Sequence, residues 1–177
     1  MLGSRELISR VELSLSALPV NLKTALDYWN SISDNQNTCP RWKDFDLLQI
    51  PTALLPTTMV YDIREPHIES EYRYWGSVMT LLYGKDYTGQ ALSSLVPSSV
   101  SERLASALAF VCKSKMPNAH TPQFTNNFGN MEHQCILRLP IFDKPGVVTK
   151  IVTHIDSSPE AMEAFQKVIN EMITKDL

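Results

Sequence analysis

The chain has 177 residues, 44% of them hydrophobic, enough to bury one sizeable core, so one domain of about 100 to 150 residues with flanking helices is expected. Sixteen basic and nineteen acidic residues leave a net charge of −3 with neither sign gathered into a run, which disfavours nucleic acid as a direct partner. Three well-separated cysteines without a CxxC pair, and an N-terminus that never builds a continuous apolar stretch, predict reduced thiols, no export signal, no membrane span and a cytoplasmic location.

Leu7, Ile8, Val11, Leu15 and Leu18 fall on one face of a helix opened by Ser4; ELSLS alone alternates like a strand, but the helical spacing is preferred. Pro19 stops it. Asn21 is placed to cap a second helix with Leu22, Ala25, Leu26 and Trp29 as its apolar stripe, ended by the polar run from Ser33 to Thr38. From Cys39 to Pro56, three prolines among charged and apolar residues predict a wrapping segment with one short helix from Asp46 to Ile50. Thr57 to Ile63 reads as a first strand, REPHIE as a turn and Ser70 to Trp75 as a second strand. After Gly76, the residues Val78, Met79, Leu81, Leu82 and Tyr83 crowd at helical spacing, and a GKDYTG turn follows.

Ser98 or Ser101 is placed to cap a longer helix with Val100, Leu104, Ala107, Leu108 and Val111 on one face, ending near Lys115. Three strands complete the sheet: His120 to Asn126, Met131 to Ile141 and Val147 to Ile155, the last two a long antiparallel hairpin. Ser157 or Ser158 with Pro159 and Glu160 opens a C-terminal helix whose Met162, Phe165, Ile169 and Met172 make an apolar seam. The fold class predicted is α+β, five antiparallel strands in one sheet with helices on one face and flanking helices at both termini. Residues 1–56 are the N-terminal helices and wrapping segment, 57–156 the core and 157–177 the C-terminal helix, all one folded unit.

No constellation in the sequence does chemistry. Arg73 has a fork suited to a carboxylate or phosphate, but an ion pair with Asp62 is its more ordinary fate. His133 and His154 stand on strands expected to pair, yet without metal-ligand spacing they read as hydrogen-bonded sheet residues rather than metal or haem ligands. Cys112 and Cys135 sit among apolar neighbours, which predicts inert thiols rather than a redox switch. GKDYTG lacks the GxxxxGK[ST] spacing of a phosphate loop, so it reads as helix termination and a tight turn.

Several pieces taken together resemble the PAS domain family, in particular a bacterial subfamily of stand-alone cytoplasmic PAS domains. They are Tyr28-Trp29, Pro40-Arg41 with Asp44 to Asp46, Leu54-Leu55-Pro56, Tyr72-Arg73 before Gly76, Gly84-Lys85-Asp86-Tyr87-Thr88-Gly89 and Leu139-Pro140-Ile141, spanning Asp27 to Asp156. Tyr74-Trp75 departs from the family, which more often has small aliphatic residues there, and Leu47 stands where a proline commonly follows the aspartate. The resemblance implies a sensing or docking module with no catalytic residues to carry over.

Tyr74, Trp75, Met79, Tyr83, Leu108, Cys112, His133 and Cys135 are the candidates for binding a small, mainly apolar ligand in a pocket between helices and sheet. Leu104, Val111 and Leu137 adjoin them. No catalytic residue, metal, haem or flavin is expected. With no kinase, cyclase or DNA-binding segment following in this chain, output is expected through a partner signalling protein and through homodimers formed by the terminal helices. Two other readings are a small cavity enzyme of isomerase or hydratase type, which would need His133 with Asp62 or Glu132, and an adaptor whose interior is filled by its own side chains.

Overall fold

The computed structural model describes residues 9–33, 39–125 and 131–157, and in the C-terminal segment residues 159, 162–163, 166–167, 169–170 and 174; the side chains of 9–12, 122–125, 131–133 and 157 lie outside this description. The elements in chain order are β1 (Ser9–Glu12), α1 (Val20–Ser31), β2 (Met59–Asp62), β3 (Glu71–Trp75), α2 (Ser77–Tyr83), α3 (Ser98–Ser114), β4 (Asn118–Thr125), β5 (Met131–Lys144) and β6 (Val147–Ser157). They form one six-stranded antiparallel sheet of order β1-β4-β5-β6-β2-β3. The expected five strands are β2 to β6, divided two and three around α2 and α3, and β5 and β6 make the expected hairpin.

The first predicted helix is corrected. Leu7 and Ile8 lie outside the described residues, but Ser9–Glu12 is a strand paired with β4, and only Leu15–Ala17 coils, as a single 3-10 turn capped by Ser14. An edge of β4 that needs backbone partners outweighs a helical spacing worth a few tenths of a kcal/mol per residue. The predicted caps are also corrected. Pro19 and Pro97, not Asn21 or Ser98, stand at the N-caps of α1 and α3, and the Ser101 hydroxyl donates instead to the Ser98 carbonyl at 2.7 Å. Ser157 ends β6, and the described residues from Pro159 onward are helical.

The sheet is buried on both faces. Val60, Ala119, Leu137, Leu139, Ile141 and Val152 project to one side, under Leu22, Ala25, Leu26 and Trp29 of α1 and under Phe45, Ile50 and Leu54 of the wrapping segment. Met59, Tyr61, Tyr72, Trp75, Ile151 and Ile155 project to the other, under Met79 and Leu82 of α2, Leu92 and Leu95, and Leu108 and Val111 of α3. These are called here the α1 face and the α2/α3 face. The α1 helix is fastened by Trp29, whose Nε1 donates to the Pro140 carbonyl at 2.9 Å. Among the described residues, no helix is long and apolar enough to cross a membrane.

Gly76 and Gly84, expected to mark the ends of strand and helix, do so for different reasons. Gly76 has an ordinary φ of −65°, but a Cβ there would run into the Pro56 carbonyl oxygen and stand 2.6 Å from the Pro56 carbonyl carbon and 2.9 Å from the Leu55 oxygen. Gly84 caps α2 in the left-handed region at φ 71° with open space around it. Gly76→Ala is therefore expected to lower stability by about 3 kcal/mol, because backbone cannot yield as a side chain would. Gly84→Ala should cost only about 1 kcal/mol of conformational strain. Urea unfolding of both variants checks the order, and equal losses would show that no close approach exists at Gly76.

Candidate functional site

The α2/α3 face carries an unusual amount of aromatic and polar surface. Trp75 on β3 pairs with Met59 on β2, Met59 with Thr153 on β6, Thr153 with Arg138 on β5, and Arg138 with Asn118 on β4, so one cross-strand row mixes apolar and polar side chains. Tyr72 packs edge-on against Trp75 with ring centroids 4.8 Å apart, and Tyr87 from the GKDYTG turn lies 5.1 Å from Trp75 and 6.1 Å from Tyr72. Tyr61 and Tyr83 extend the group, at 5.1 Å from Tyr72 and 5.5 Å from Trp75. Such tilted and edge-to-face arrangements are the favourable ones for rings.

Burial is what sets the electrostatics of this group. It raises the Tyr61, Tyr72 and Tyr83 hydroxyls above their usual range; neighbouring tyrosines raise Tyr72 and Tyr83 further, while the charges of Arg138 and Arg103 pull Tyr61 and Tyr83 back a little. All three stay protonated and able to donate. The Tyr61 hydroxyl gives its proton to Met59 Sδ at 3.3 Å. Tyr72 Oη, Trp75 Nε1 and Thr153 Oγ1 are buried and have no hydrogen-bond partner among the described residues. Arg138, 3% exposed, holds Nη1 2.9 Å from His120 Nδ1. Since a guanidinium can only donate, His120 Nδ1 carries the lone pair in that bond.

The structure brings Trp75, Met79, Tyr83, Leu108 and Cys112 together on this face, with Leu104 and Val111 beside them. Tyr74 and Cys135, expected with them, sit on the α1 face, as does Leu137. Cys135 and Leu137 alternate with Ile136 along β5, and Tyr74 with its neighbour Trp75 along β3, so neighbours are divided between the faces; a β-bulge decides the side that Tyr72 takes. Val60 pairs with Tyr74 but Tyr61 pairs with Tyr72, so Arg73 is an extra residue, and Tyr72 and Tyr74 point to opposite faces instead of sharing one. The hydroxyl of Tyr74 donates to the Leu55 carbonyl at 3.2 Å, tying it to the wrapping segment. His133 pairs with Gln123 along β5, and its side chain lies outside the described residues. Tyr61, Tyr72, Tyr87, Arg138 and Thr153 were missed by sequence reasoning. Arg138 alone left a signal, a charge set between leucines in an otherwise apolar strand.

The remaining chemistry-bearing residues have structural occupations. Arg73 makes the expected pair with Asp62, two-pronged, Nε to Oδ1 at 2.9 Å and Nη2 to Oδ2 at 2.8 Å, and Lys150 joins at 3.4 Å. Asp62, one of the carboxylates an acid–base pair would require, is thereby committed. In the GKDYTG turn the Asp86 carboxylate accepts from the Thr88 amide at 2.8 Å, and Gly89 donates to the Tyr72 carbonyl at 2.7 Å, which closes the free edge of β3. Burial pushes the Cys112 thiol up to about 11 and the Cys39 thiol up to about 12, and Cys112 and Cys135 belong to opposite faces, so these two do not meet. No cluster of three or more metal-ligating residues occurs among the described residues.

The family profile of the PAS domain matches residues 19–155. The chain belongs to the PAS domain family. No curated protein matches this PAS chain at a significant level. Among solved structures it is similar to VqmA of Vibrio cholerae (10% identity, TM-score 0.44), with 66% of this chain covering 52% of that one, so it spans about half that protein's length. It is also similar to the PAS domain of Bordetella pertussis BvgS (15% identity, TM-score 0.44, 75% of this chain and 100% of that one) and to a fungal LOV domain photoreceptor (13% identity, TM-score 0.41, 78% and 92%). None of these likenesses is close enough to carry a function across.

His154, on the α1 face, is fully buried, and its tautomer follows from its neighbours. Thr58 Oγ1 spends its single proton on the Leu54 carbonyl at 2.8 Å, so it accepts from His154 Nδ1 at 2.7 Å, and Nε2 keeps a lone pair with no partner among the described residues. Burial lowers its pKa from 6.5 to about 3. Between those values the unfolded chain binds a proton that the native state refuses, so stability falls as pH drops through that window. Replacement His154→Leu should flatten the pH dependence of chemical-denaturation stability between pH 6.5 and 3, removing a slope that approaches about 1.4 kcal/mol per pH unit. Identical slopes in variant and parent would show that His154 is solvated.

Proposed function

We propose that this PAS chain is a non-catalytic sensory or regulatory module that binds a small molecule between the sheet and α2/α3 and passes the change to its C-terminal segment. Family membership supports a sensing role. The observation that carries the output route is a direct tie: Gln166 Nε2 donates to the carbonyl of Leu82 in α2 at 2.8 Å. Leu82 and Met79 are the buried residues of α2, so the helix that roofs the ring cluster also holds the C-terminal segment. Ile169, 1% exposed, and Met162, packed on the α2/α3 cluster, anchor the same segment. A ligand that shifts α2 by a fraction of its diameter therefore biases where that segment rests.

Association with a second copy or a partner protein is the output we propose, in the cytoplasm and without direct contact to nucleic acid, in keeping with the mixed surface charge. A ligand-free adaptor is the second reading, favoured by the close ring packing on the α2/α3 face. Native mass spectrometry of protein purified from its own cells separates the two. A dimer retaining a small molecule is expected; a monomer that retains nothing overturns the proposal and leaves the adaptor. Met79, 2% exposed, faces the ring cluster, so Met79→Trp should abolish that retention while far-UV circular dichroism stays unchanged. Undiminished ligand occupancy in this variant would place the chamber elsewhere.

A further inference from the structure

We infer that the outer edge of β1 is an interface between two copies of this chain, joined antiparallel about a two-fold axis at Val11 into one continuous sheet. This names a surface for the self-association proposed above and rests on that reading. The two outermost strands of the sheet are finished differently. Along β3 the loop after α2 completes the edge: Gly89 donates to the Tyr72 carbonyl at 2.7 Å, Tyr72 to that of Gln90 at 2.9 Å and Leu92 to that of Ser70 at 2.8 Å. At the opposite margin β1 is the last strand in the order, and among the described residues no strand or loop pairs with its outer side. A row of N–H and C=O groups left open in this way is a template for another strand.

Backbone alternation fixes what that edge offers. The Leu13 amide donates to the Ala119 carbonyl at 3.0 Å, and Val11 and Ser9 lie opposite Thr121 and Gln123, so residues 9, 11 and 13 turn their N–H and C=O groups to β4. Arg10 and Glu12 stand between them, and theirs turn away from β4. A second β1 running antiparallel, with Val11 opposite Val11, sets residue 10 of each copy opposite residue 12 of the other, and each such pair exchanges two backbone bonds. Arginine then faces glutamate on both sides of the axis, the favourable arrangement for directly opposed residues. The neighbouring two-fold registers that keep the bonding pattern, centred on residue 10 or on residue 12, bring arginine to arginine or glutamate to glutamate. Charge therefore selects the register centred on Val11. The contact uses the same patch of both copies and closes as a dimer, and so short an interface makes that dimer weak and concentration-dependent.

Reversing one charge tests the register. Arg10→Glu and Glu12→Arg each place like charges across the axis in all three registers, whereas an equimolar mixture of the two variants restores opposite charges at both positions. Sedimentation of a dilution series is expected to show the parent dimerising, each variant alone weakened about tenfold or more because two pairs change sign at once, and the mixture returned to the parent's affinity as a heterodimer. Glu12→Pro removes an N–H turned away from β4, so it should weaken the dimer while far-UV circular dichroism stays that of the parent. Variants that dimerise as tightly as the parent overturn the edge interface and leave self-association standing through another surface, and a mixture no tighter than its components does the same. A parent that stays monomeric throughout the series removes the self-association and the edge interface together.

Discussion

The site depends on one extra residue. Arg73 interrupts the pairing of β2 with β3, so that Tyr74 lies opposite Val60 while Tyr72 lies opposite Tyr61. Strand side chains alternate with a period of two, so a single insertion turns everything on one side of it to the other face. Tyr72 joins Trp75 above the α2/α3 face, and Tyr74 joins the packing of α1 and the wrapping segment. The bulged residue is itself held in place by its two-pronged bond to Asp62, which Lys150 and Asp143 extend into a small network at the margin of the sheet. Much of that network is exposed, and its contribution is geometric more than energetic, since it fixes which aromatic ring faces which core.

A sheet covered on both sides divides its labour. On the α1 face several polar groups pair within the chain: the Trp29 indole meets the Pro140 carbonyl, and Thr58 satisfies both Leu54 and one nitrogen of His154, whose Nε2 has no partner among the described residues. Proline at 140 has no N–H to offer the ladder, and its carbonyl becomes the anchor for α1 instead. On the α2/α3 face several donors are buried without such pairing. Interiors rarely tolerate that, because each unmade bond costs about 1–3 kcal/mol.

Helix α2 is short and stands between the two sides of the problem, with Met79 and Leu82 turned toward the ring cluster and the Leu82 carbonyl held by Gln166. Carbonyls in the last turn of a helix have no intrahelical partner, so this one is free to bond a neighbouring segment. The close fit of Gly76 against the backbone of Leu55 and Pro56 holds the opposite end of α2.

Much of the fold was legible in the chain. The core strands, α1 by its stripe of Leu22, Ala25, Leu26 and Trp29, α3, and the turn at GKDYTG follow from local periodicity and from residues with restricted backbones, which act over a few positions. Met79, Tyr83, Leu108 and Cys112 share one packed cluster with Trp75 of β3, since apolar helix stripes face a sheet. Two things were decided only by tertiary structure. Ser9–Glu12 became a strand because β4 offered it an edge, a contact more than a hundred residues away in sequence. Tyr74 and Cys135 went to the α1 face because a sheet buried on both sides is apolar on both sides, so alternation alone does not say which core a given side chain joins, and for Tyr72 a bulge of one residue settles it.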